Sequence, residues 1–234
     1  MEKAGLRHLP LHSTCNTRDL GGYQTASGHI TRWGWLFRSD MPHGLDDADR
    51  AALQKLGLCT VIDLRSVEQV QTQPSEFASL HGVEYWSCSF ASGNLDPDTL
   101  ADMPQVTMEM LDDRSNIARV MRLILRSAGP VLFHCAAGKD RTGIIAALLL
   151  REAGVSQADV IADYSLSYAY VMPVVRMLRK ELPGNPDWYG RSDPEVMEEV
   201  LRQVGDVDAY LEGCGLSAEE RAGLRRCLCP EELF

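Results

Sequence analysis

The sequence has no apolar run long enough to cross a membrane. Its longest unbroken apolar run covers residues 144–150, whereas a membrane-spanning helix requires roughly 20 residues. It also lacks the basic start and apolar stretch of a secretory signal peptide, because Pro10, His12 and Asn16 interrupt the region where that stretch would lie. We therefore expect a cytoplasmic protein with no transmembrane segment; export that needs no signal peptide is the alternative.

Positive charge is scarce. The 23 Lys and Arg residues stand against 33 Asp and Glu residues, which gives a net charge of −10 at neutral pH. The averaged field repels polyanions and argues against broad nucleic-acid binding. An anionic substrate must therefore be held by a local pocket. Lysine accounts for only four of the 23 basic residues, so a lysine inside a motif is informative.

The seven cysteines lack the close, regular pairing of a disulfide framework. An odd number of thiols in a chain large enough to need no covalent staples fits a reducing compartment. Cys214, Cys227 and Cys229 lie close in sequence, but no second Cys or His pair completes a four-ligand set. These residues therefore predict no zinc site.

Short apolar runs separated by helical patterns predict the strands of an α/β fold. Residues 58–64 are mostly apolar and β-branched, as expected of a strand buried on both faces. A second run at residues 130–133 follows apolar residues at helical spacing over residues 117–125, and residues 83–90 form a further strand candidate. We predict a central, mainly parallel sheet flanked by helices.

The C-terminal third of the sequence is helical in pattern. Apolar residues recur at helical spacing over residues 159–167, 174–181 and 194–211, and Ser217 begins a capping box for a last helix. These segments predict additional C-terminal helices beside the sheet. Because no linker, repeat or low-complexity tract marks a boundary, we expect a single domain over residues 1–234.

One segment between a predicted strand and a predicted helix holds a thiol and a guanidinium at a fixed spacing. It reads His134-Cys135-Ala136-Ala137-Gly138-Lys139-Asp140-Arg141-Thr142-Gly143. The spacing of Cys135 and Arg141 alone is weak evidence, because Cys59 and Arg65 share it. The residues between Cys59 and Arg65 form a predicted buried strand, which cannot curl around an anion. Only Cys135 follows a buried strand and precedes small residues and a helix start.

The residue types after Cys135 suit the binding of a tetrahedral dianion. Ala136, Ala137 and Gly138 leave room for backbone amides to converge, and the start of the next helix favours negative charge. The planar guanidinium of Arg141 can hold two oxygens at once. The same positive groups favour the thiolate, which is the nucleophilic form of cysteine. The sequence therefore predicts an anion-binding loop with a cysteine nucleophile.

This loop resembles the signature loop of the cysteine-dependent phosphatases, the protein tyrosine and dual-specificity phosphatases. Residues 138–143 are most similar to the bacterial tyrosine-protein phosphatases that also accept phosphoinositides. Further segments resemble that family in the same order along the chain, at residues 16–23, 36–39, 63–66 and 194–197. The resemblance spans nearly the whole chain and implies a protein tyrosine phosphatase-like fold.

The resemblance implies a covalent mechanism that uses no metal and no other cofactor. Cys135 would attack phosphorus, Arg141 would bind the transferring phosphoryl group, and water would later hydrolyse a phosphocysteine. Thr142 would stabilise the thiolate, and Asp63 would support the site as its counterpart does in relatives. The phosphate-binding residues would be Ala136, Ala137, Gly138, Lys139, Asp140 and Arg141.

Two places are open for the acid that protonates the leaving oxygen. In the most similar subfamily this acid lies inside the loop, which corresponds to Asp140. Other members of the superfamily use an aspartate on a separate upstream loop, and Asp96, Asp98 and Asp102 are available for that role. We favour Asp140 because it lies beside Arg141 and needs no mobile upstream loop.

Basic residues around these motifs carry weaker expectations. For His134 we expect a structural hydrogen-bonding role beside the thiolate, and for Lys139 a second contact to an anion. Arg18, Arg38 and Arg65 are expected to be ion-paired, and the alternative is that they line the pocket.

The remaining cysteines and tyrosines are expected to be structural. Cys59 and Cys88 follow or lie in apolar strands and are expected to be inert core residues. Tyr164, Tyr168 and Tyr170 are expected to pack as helix residues; the alternative is a platform that stacks against phosphotyrosine.

A cysteine-dependent phosphomonoesterase is the predicted function. The expected partner is a phosphorylated protein, carrying phosphotyrosine or phosphoserine or phosphothreonine, or a phosphoinositide, and no nucleic acid; no oligomeric state is predicted. One alternative is a phosphate-binding module that has lost turnover, against which the retained Cys135 and Arg141 argue. Another is an arsenate reductase or sulfurtransferase, which also use a cysteine loop on an α/β sheet.

Overall fold

The computed structural model describes residues 7–90, 103–177 and 190–230, and its strands form one five-stranded sheet. The strands in chain order are β1 (Arg18–Asp19), β2 (Leu36–Ser39), β3 (Thr60–Asp63), β4 (Glu84–Ser87) and β5 (Val131–His134). Their order across the sheet is β1-β2-β5-β3-β4. Only the β1–β2 pair is antiparallel. The predicted central, mainly parallel sheet is therefore confirmed.

The three central strands β2, β3 and β5 are buried along their whole length. Helices cover both faces of the sheet, so apolar and β-branched residues can be buried on either side of each strand. The register places Ser39 beside His134 and His134 beside Asp63 at the carboxyl ends of these strands. This shared edge is where the chain leaves β5 and enters the segment with Cys135.

The helices surround the sheet and extend past it at the C-terminus. Their bounds are α1 (Asp47–Lys55), α2 (Val67–Thr72), α3 (Met103–Asp112), α4 (Arg114–Arg126), α5 (Asp140–Glu152), α6 (Gln157–Met177), α7 (Pro194–Val204), α8 (Val207–Gly213) and α9 (Ala218–Leu228). Helix α5 is buried almost all round, as its apolar sequence predicts. In the part of the chain that the structure describes, no helix combines the length and the apolar character needed to cross a bilayer.

Two predicted helix boundaries are wrong. The break expected between residues 167 and 174 is absent, because α6 continues to Met177 with Pro173 inside it. Burial of neighbouring residues such as Met172 outweighs the cost of the proline there. The helix expected over residues 194–211 is two helices, since Gly205 adopts a φ of +62° that ends α7.

The five residues that join β5 to α5, called the 135–139 loop, pack directly against the end of β2. Gly138 has a φ of +65°, which L side chains rarely adopt. A Cβ atom at Gly138 would also lie 2.5 Å from the carbonyl carbon and oxygen of Ser39. The loop can approach the sheet edge this closely only because residue 138 is glycine.

Replacement of this glycine is expected to destabilise the fold more than replacement of a glycine with the same backbone conformation in open space. Gly82 is a matched control, with a φ of +76° and no atom within 4 Å of a built Cβ. Gly82→Ala should cost about 1–2 kcal/mol of unfolding free energy from backbone strain alone. Gly138→Ala should cost a further 1–3 kcal/mol or so from steric overlap.

Urea unfolding of both variants measures this difference. Equal losses of unfolding free energy in Gly138→Ala and Gly82→Ala would show that the 135–139 loop is not packed against β2 as described.

Candidate active site

The carbonyl groups of the 135–139 loop point away from its centre and are bound by the surrounding protein. The Met41 amide donates a hydrogen bond to the Ala136 carbonyl at 2.9 Å. The side-chain amide of Asn16 donates to the Ala137 carbonyl at 2.9 Å. In a planar trans peptide the C=O and the following N–H point to opposite sides. Outward carbonyls therefore turn the next amides toward the centre of the loop.

Asn16 is held in place by an aspartate that directly follows β2. The carboxylate of Asp40 accepts the Asn16 amide at 2.9 Å and the Cys15 amide at 2.9 Å. The N-terminal segment, the end of β2 and the 135–139 loop are thereby joined by hydrogen bonds. The chain before β1 is part of the site's framework.

A buried ion-pair network holds the other half of the loop. The Arg38 guanidinium donates to the carbonyls of Gly138 at 2.8 Å and Lys139 at 3.3 Å. Its other terminal nitrogen binds the carboxylate of Asp163, which also accepts from Nε of Arg18 at 2.9 Å. Burial alone would raise the pKa of Asp163, but the charges of Arg18 and Arg38 outweigh it and hold the pKa well below its usual range. Asp163 therefore stays ionised.

The inward amides are available to a ligand. Among the residues that the structure describes, none accepts a hydrogen bond from the amides of Ala136, Ala137, Gly138, Asp140 or Arg141. The first amides of a helix have no partner within the helix, and those at the start of α5 add the positive end of the helix dipole. This arrangement can bind the oxygens of a tetrahedral dianion.

Cys135 and Thr142 flank, in sequence, the residues whose amides are available to a ligand. Cys135 follows β5 directly and is 4% exposed. The Thr142 hydroxyl is fully buried on α5 and has no hydrogen-bond partner among the described residues. A buried hydroxyl without a partner costs free energy unless an acceptor is nearby. The role implied for Thr142, donation to the Cys135 thiolate, stays a prediction.

His134 is fully buried beneath Cys135. Its Nδ1 donates to the Cys135 carbonyl at 2.9 Å, since a carbonyl can only accept. Nε2 is then an acceptor and lies 3.3 Å from the Ser75 hydroxyl. Burial lowers the pKa of His134, which favours this neutral form. These contacts support the expected structural role.

Asp63 forms a buried ion pair with Arg65 at the carboxyl end of β3. The Arg65 Nη2 and Asp63 Oδ2 atoms are 2.7 Å apart, and the Tyr85 hydroxyl donates to the same oxygen. Burial would raise the pKa of Asp63, but its polar neighbours, including Arg65 and Tyr85, hold the pKa below its usual range. His134 Nε2 lies 3.6 Å from Asp63 Oδ2, beyond hydrogen-bond distance, and the support of the site implied for Asp63 stays a prediction.

The three arginines that were expected to be ion-paired, and not to line the pocket, do form ion pairs. Arg18 and Arg38 bind Asp163, and Arg65 binds Asp63. All three are at most 2% exposed. They position the elements around the loop and do not reach a solvent-filled pocket.

Arg141 remains partly exposed and is held from the side by α2. Its Nη1 donates to Oε1 of Gln69 at 2.9 Å. Gln69 also completes a capping box with Ser66 at the start of α2. The Arg141 guanidinium is therefore oriented, with other donors left for an anion in the loop.

Asp140 and Lys139 contact groups outside the loop. The Tyr164 hydroxyl donates to Oδ1 of Asp140 at 3.0 Å, and the Lys139 ammonium lies 3.5 Å from Oδ2. The same ammonium donates to the Arg191 carbonyl at 2.6 Å, and Lys139 is 6% exposed. Its expected contact with an anion stays a prediction. The rival acids Asp96, Asp98 and Asp102 lie outside the described residues.

Of the cysteines and tyrosines expected to be structural, Cys88 and Tyr164 are buried, whereas Cys59 is only half-buried and Tyr168 is exposed. Cys88 is fully buried, and burial raises the pKa of its thiol to about 11. Cys59 donates to the Gly57 carbonyl at 3.3 Å. Tyr164 is buried in α6, and Tyr170 stacks on the ring of His8 at 4.3 Å between centroids.

One group of possible metal ligands occurs among the described residues, away from the loop. The ligand atoms of His12, Asp46 and Asp49 lie within 4.8 Å of one another. Asp49 already accepts the amides of His12 and Ser13, and Asp46 caps α1. These carboxylates serve the backbone, and the group is no part of the 135–139 loop.

Sequence reasoning missed the residues that hold the loop from outside. Asn16 lies in a segment that carried the family resemblance, and Gln69 follows Ser66 at capping-box spacing, so both had a detectable signal. Asp163 and Tyr164 are adjacent on α6 and are far from the loop in sequence. No local pattern pairs them with Arg38 or Asp140.

Several known proteins are similar to this chain in sequence. A "Tyrosine-protein phosphatase" of Nostoc commune is 36% identical over 201 residues, covering 75% of this chain and 68% of that protein. The "Triple specificity protein phosphatase PtpB" of Mycobacterium tuberculosis is 31% identical over 232 residues, covering 84% and 79%. A Cupriavidus necator protein, also named among the tyrosine-protein phosphatases, is 36% identical over 174 residues. The chain spans 63% of that relative's length.

Solved structures and a family match complete the comparison. The crystal structure of P. aeruginosa TpbA overlaps 83% of this chain and 98% of its own at 18% identity, with a TM-score of 0.43, too low for a functional inference. The family match is described as "Tyrosine phosphatase family" and covers residues 9–230. It includes every described element from β1 to α9, and the predicted resemblance is confirmed. The chain belongs to the tyrosine phosphatase family.

Proposed function

We propose that this protein is a cysteine-dependent phosphomonoesterase that hydrolyses phosphotyrosine, and also phosphoserine, phosphothreonine and phosphoinositides, through a phosphocysteine intermediate. The observation that carries the proposal is the 135–139 loop after β5, whose carbonyls accept hydrogen bonds from the surrounding protein and whose Ala136, Ala137 and Gly138 amides have no acceptor among the described residues. A tetrahedral phosphate fits such a set of amides at a helix start. The partners of this activity are phosphorylated proteins and phosphoinositides.

In the first step, the Cys135 thiolate forms a bond to phosphorus while the bond from phosphorus to the leaving oxygen breaks. Arg141 and the inward amides bind the three other oxygens, on which charge is spread in the transition state. Asp140 transfers its proton to the leaving oxygen. The products are the alcohol or phenol and a phosphorylated Cys135.

In the second step, water attacks phosphorus and the sulfur–phosphorus bond breaks. Asp140, now ionised, accepts a proton from the attacking water. Cys135 leaves as the thiolate and inorganic phosphate is released. The cycle balances without a metal ion or a redox partner.

The names of the relatives support the breadth of substrate. The Mycobacterium tuberculosis relative is named a triple specificity phosphatase and the Nostoc commune relative a tyrosine-protein phosphatase. The net charge of −10 leaves substrate binding to the local positive groups of the loop. A single domain over residues 1–234 and a cytoplasmic location stay predictions.

Replacement of the proposed nucleophile is expected to abolish turnover. Cys135→Ser should reduce hydrolysis of 4-nitrophenyl phosphate to background, because a serine hydroxyl is not ionised at neutral pH. Cys59→Ser is the matched control and should keep most activity, since the Cys59 thiol donates to the Gly57 carbonyl and to no group of the 135–139 loop among the hydrogen bonds described. Activity should be unchanged by a chelator. Turnover by Cys135→Ser, or a requirement for an added divalent metal, would contradict the covalent mechanism.

Removal of the proposed acid is expected to matter only where the leaving group needs a proton. Asp140→Asn should lower kcat/KM for phenyl phosphate by about 10²-fold or more, the lower end of what a positioned acid supplies. For 4-nitrophenyl phosphate, whose leaving group is acidic, kcat/KM should fall little. The ratio of the kcat/KM values for the two substrates measures the effect, because kcat also includes hydrolysis of the phosphocysteine, in which Asp140 is the base. The same pattern in Asp96→Asn, Asp98→Asn or Asp102→Asn, with a normal Asp140→Asn, would place the acid upstream.

A further inference from the structure

We propose that Tyr164 is a positioning residue for the general acid, and that its hydroxyl fixes the carboxyl of Asp140 for proton transfer to the leaving oxygen. The proposal rests on the proposed function, in which Asp140 is that acid. Tyr164 touches no loop atom that would bind phosphate in the contacts described, and acts through its 3.0 Å hydrogen bond to Oδ1 of Asp140.

Helix α6 packs closely against the first turn of α5. A Cβ atom on Gly143 would lie 2.8 Å from Cδ2 and 3.1 Å from Cε2 of the Tyr164 ring. Because residue 143 is glycine, the Tyr164 ring can pack against the first turn of α5. Asp140 lies three residues earlier on the same helix, and residues at this spacing share a face. The ring that packs on Gly143 carries its hydroxyl to Asp140.

Tyr164 is anchored by its neighbour in sequence, Asp163. Asp163 binds the buried guanidinium groups of Arg18 and Arg38, and Arg38 binds the carbonyl of Gly138. Two successive residues of α6 thus reach both halves of the site: Asp163 reaches the loop backbone through Arg38, and Tyr164 binds the acid directly. A shift of α6 would move both together, so the Tyr164 hydroxyl has a fixed position relative to the loop.

The Tyr164 phenol is the donor in this hydrogen bond. Burial raises the pKa of Tyr164 well above its usual value, so the phenol stays protonated and donates. Oδ1 of Asp140 accepts this bond, and Oδ2 lies 3.5 Å from the Lys139 ammonium. The Asp140 side chain is 30% exposed, whereas Tyr164 is 2% exposed. Tyr164 thus holds the acid from its buried side, and the remaining exposure of Asp140 leaves room for substrate.

Tyr164→Phe tests the proposal because it removes one oxygen and keeps the ring. We expect kcat/KM for phenyl phosphate to fall about tenfold, the upper end of the effect of losing one hydrogen bond to an uncharged group such as the protonated Asp140. For 4-nitrophenyl phosphate the loss should be less than about threefold, because this leaving group needs little acid assistance. KM should change little for either substrate, since Tyr164 does not hold the phosphate.

Tyr210→Phe is the matched control. The Tyr210 hydroxyl is also buried and donates to the Leu111 carbonyl at 2.6 Å, far from the loop in sequence. Its removal should lower the thermal unfolding midpoint about as much as Tyr164→Phe does, with no change in the ratio of the two kcat/KM values. A similar change of ratio in Tyr210→Phe would mean that selectivity follows general stability, and would overturn the proposal.

The double variant Asp140→Asn with Tyr164→Phe separates this proposal from the proposed function. If Tyr164 acts through Asp140, the second substitution adds no further loss for phenyl phosphate. Equal losses on both substrates in Tyr164→Phe, or a full additional loss in the double variant, would overturn the positioning role while leaving Asp140 as the acid. An Asp140→Asn variant without leaving-group selectivity would overturn the acid assignment and this proposal with it.

Discussion

The geometry of the site depends on the buried carboxylate of Asp163. Two guanidinium groups, those of Arg18 and Arg38, converge on it in a region at most 2% exposed, and Arg38 continues to the carbonyls at the end of the 135–139 loop. Removal of one partner from such a network leaves an uncompensated buried charge, which costs about 3–5 kcal/mol. Through Arg38, the carboxylate thus fixes the carbonyls of Gly138 and Lys139, while Met41 and Asn16 bind those of Ala136 and Ala137.

This arrangement explains how an acidic protein can bind a dianion. The net charge of −10 repels anions on average, but the loop lies beside the α5 N-terminus, the Arg141 guanidinium and a buried cluster in which the Asp163 carboxylate offsets only one of the two charges of Arg18 and Arg38. In the proposed function these preorganised groups supply the binding energy and need no rearrangement as charge develops during phosphoryl transfer.

The centre of the site could be predicted from the local sequence, whereas the residues around it are brought together only by tertiary contacts. The sheet, the buried helix α5 and the Cys135–Arg141 loop follow from apolar runs, small residues and a helix start, all readable within about fifteen residues. Asp163 and Tyr164 were not predicted, because their partners are more than twenty residues away and no periodicity encodes a pairing. The α6 boundary failed for the same reason, since the burial that carries the helix past Pro173 comes from other elements.

The most direct test of the account is the identity of the covalent intermediate. An Asp140→Asn variant mixed with 4-nitrophenyl phosphate and quenched in acid within milliseconds should carry one phosphoryl group, located by peptide mass spectrometry on Cys135. The Cys135→Ser protein treated in the same way should carry no phosphoryl group. A phosphoryl group on His134 or on any other residue, or rapid turnover with no covalent phosphoryl group at any time after mixing, would contradict the account.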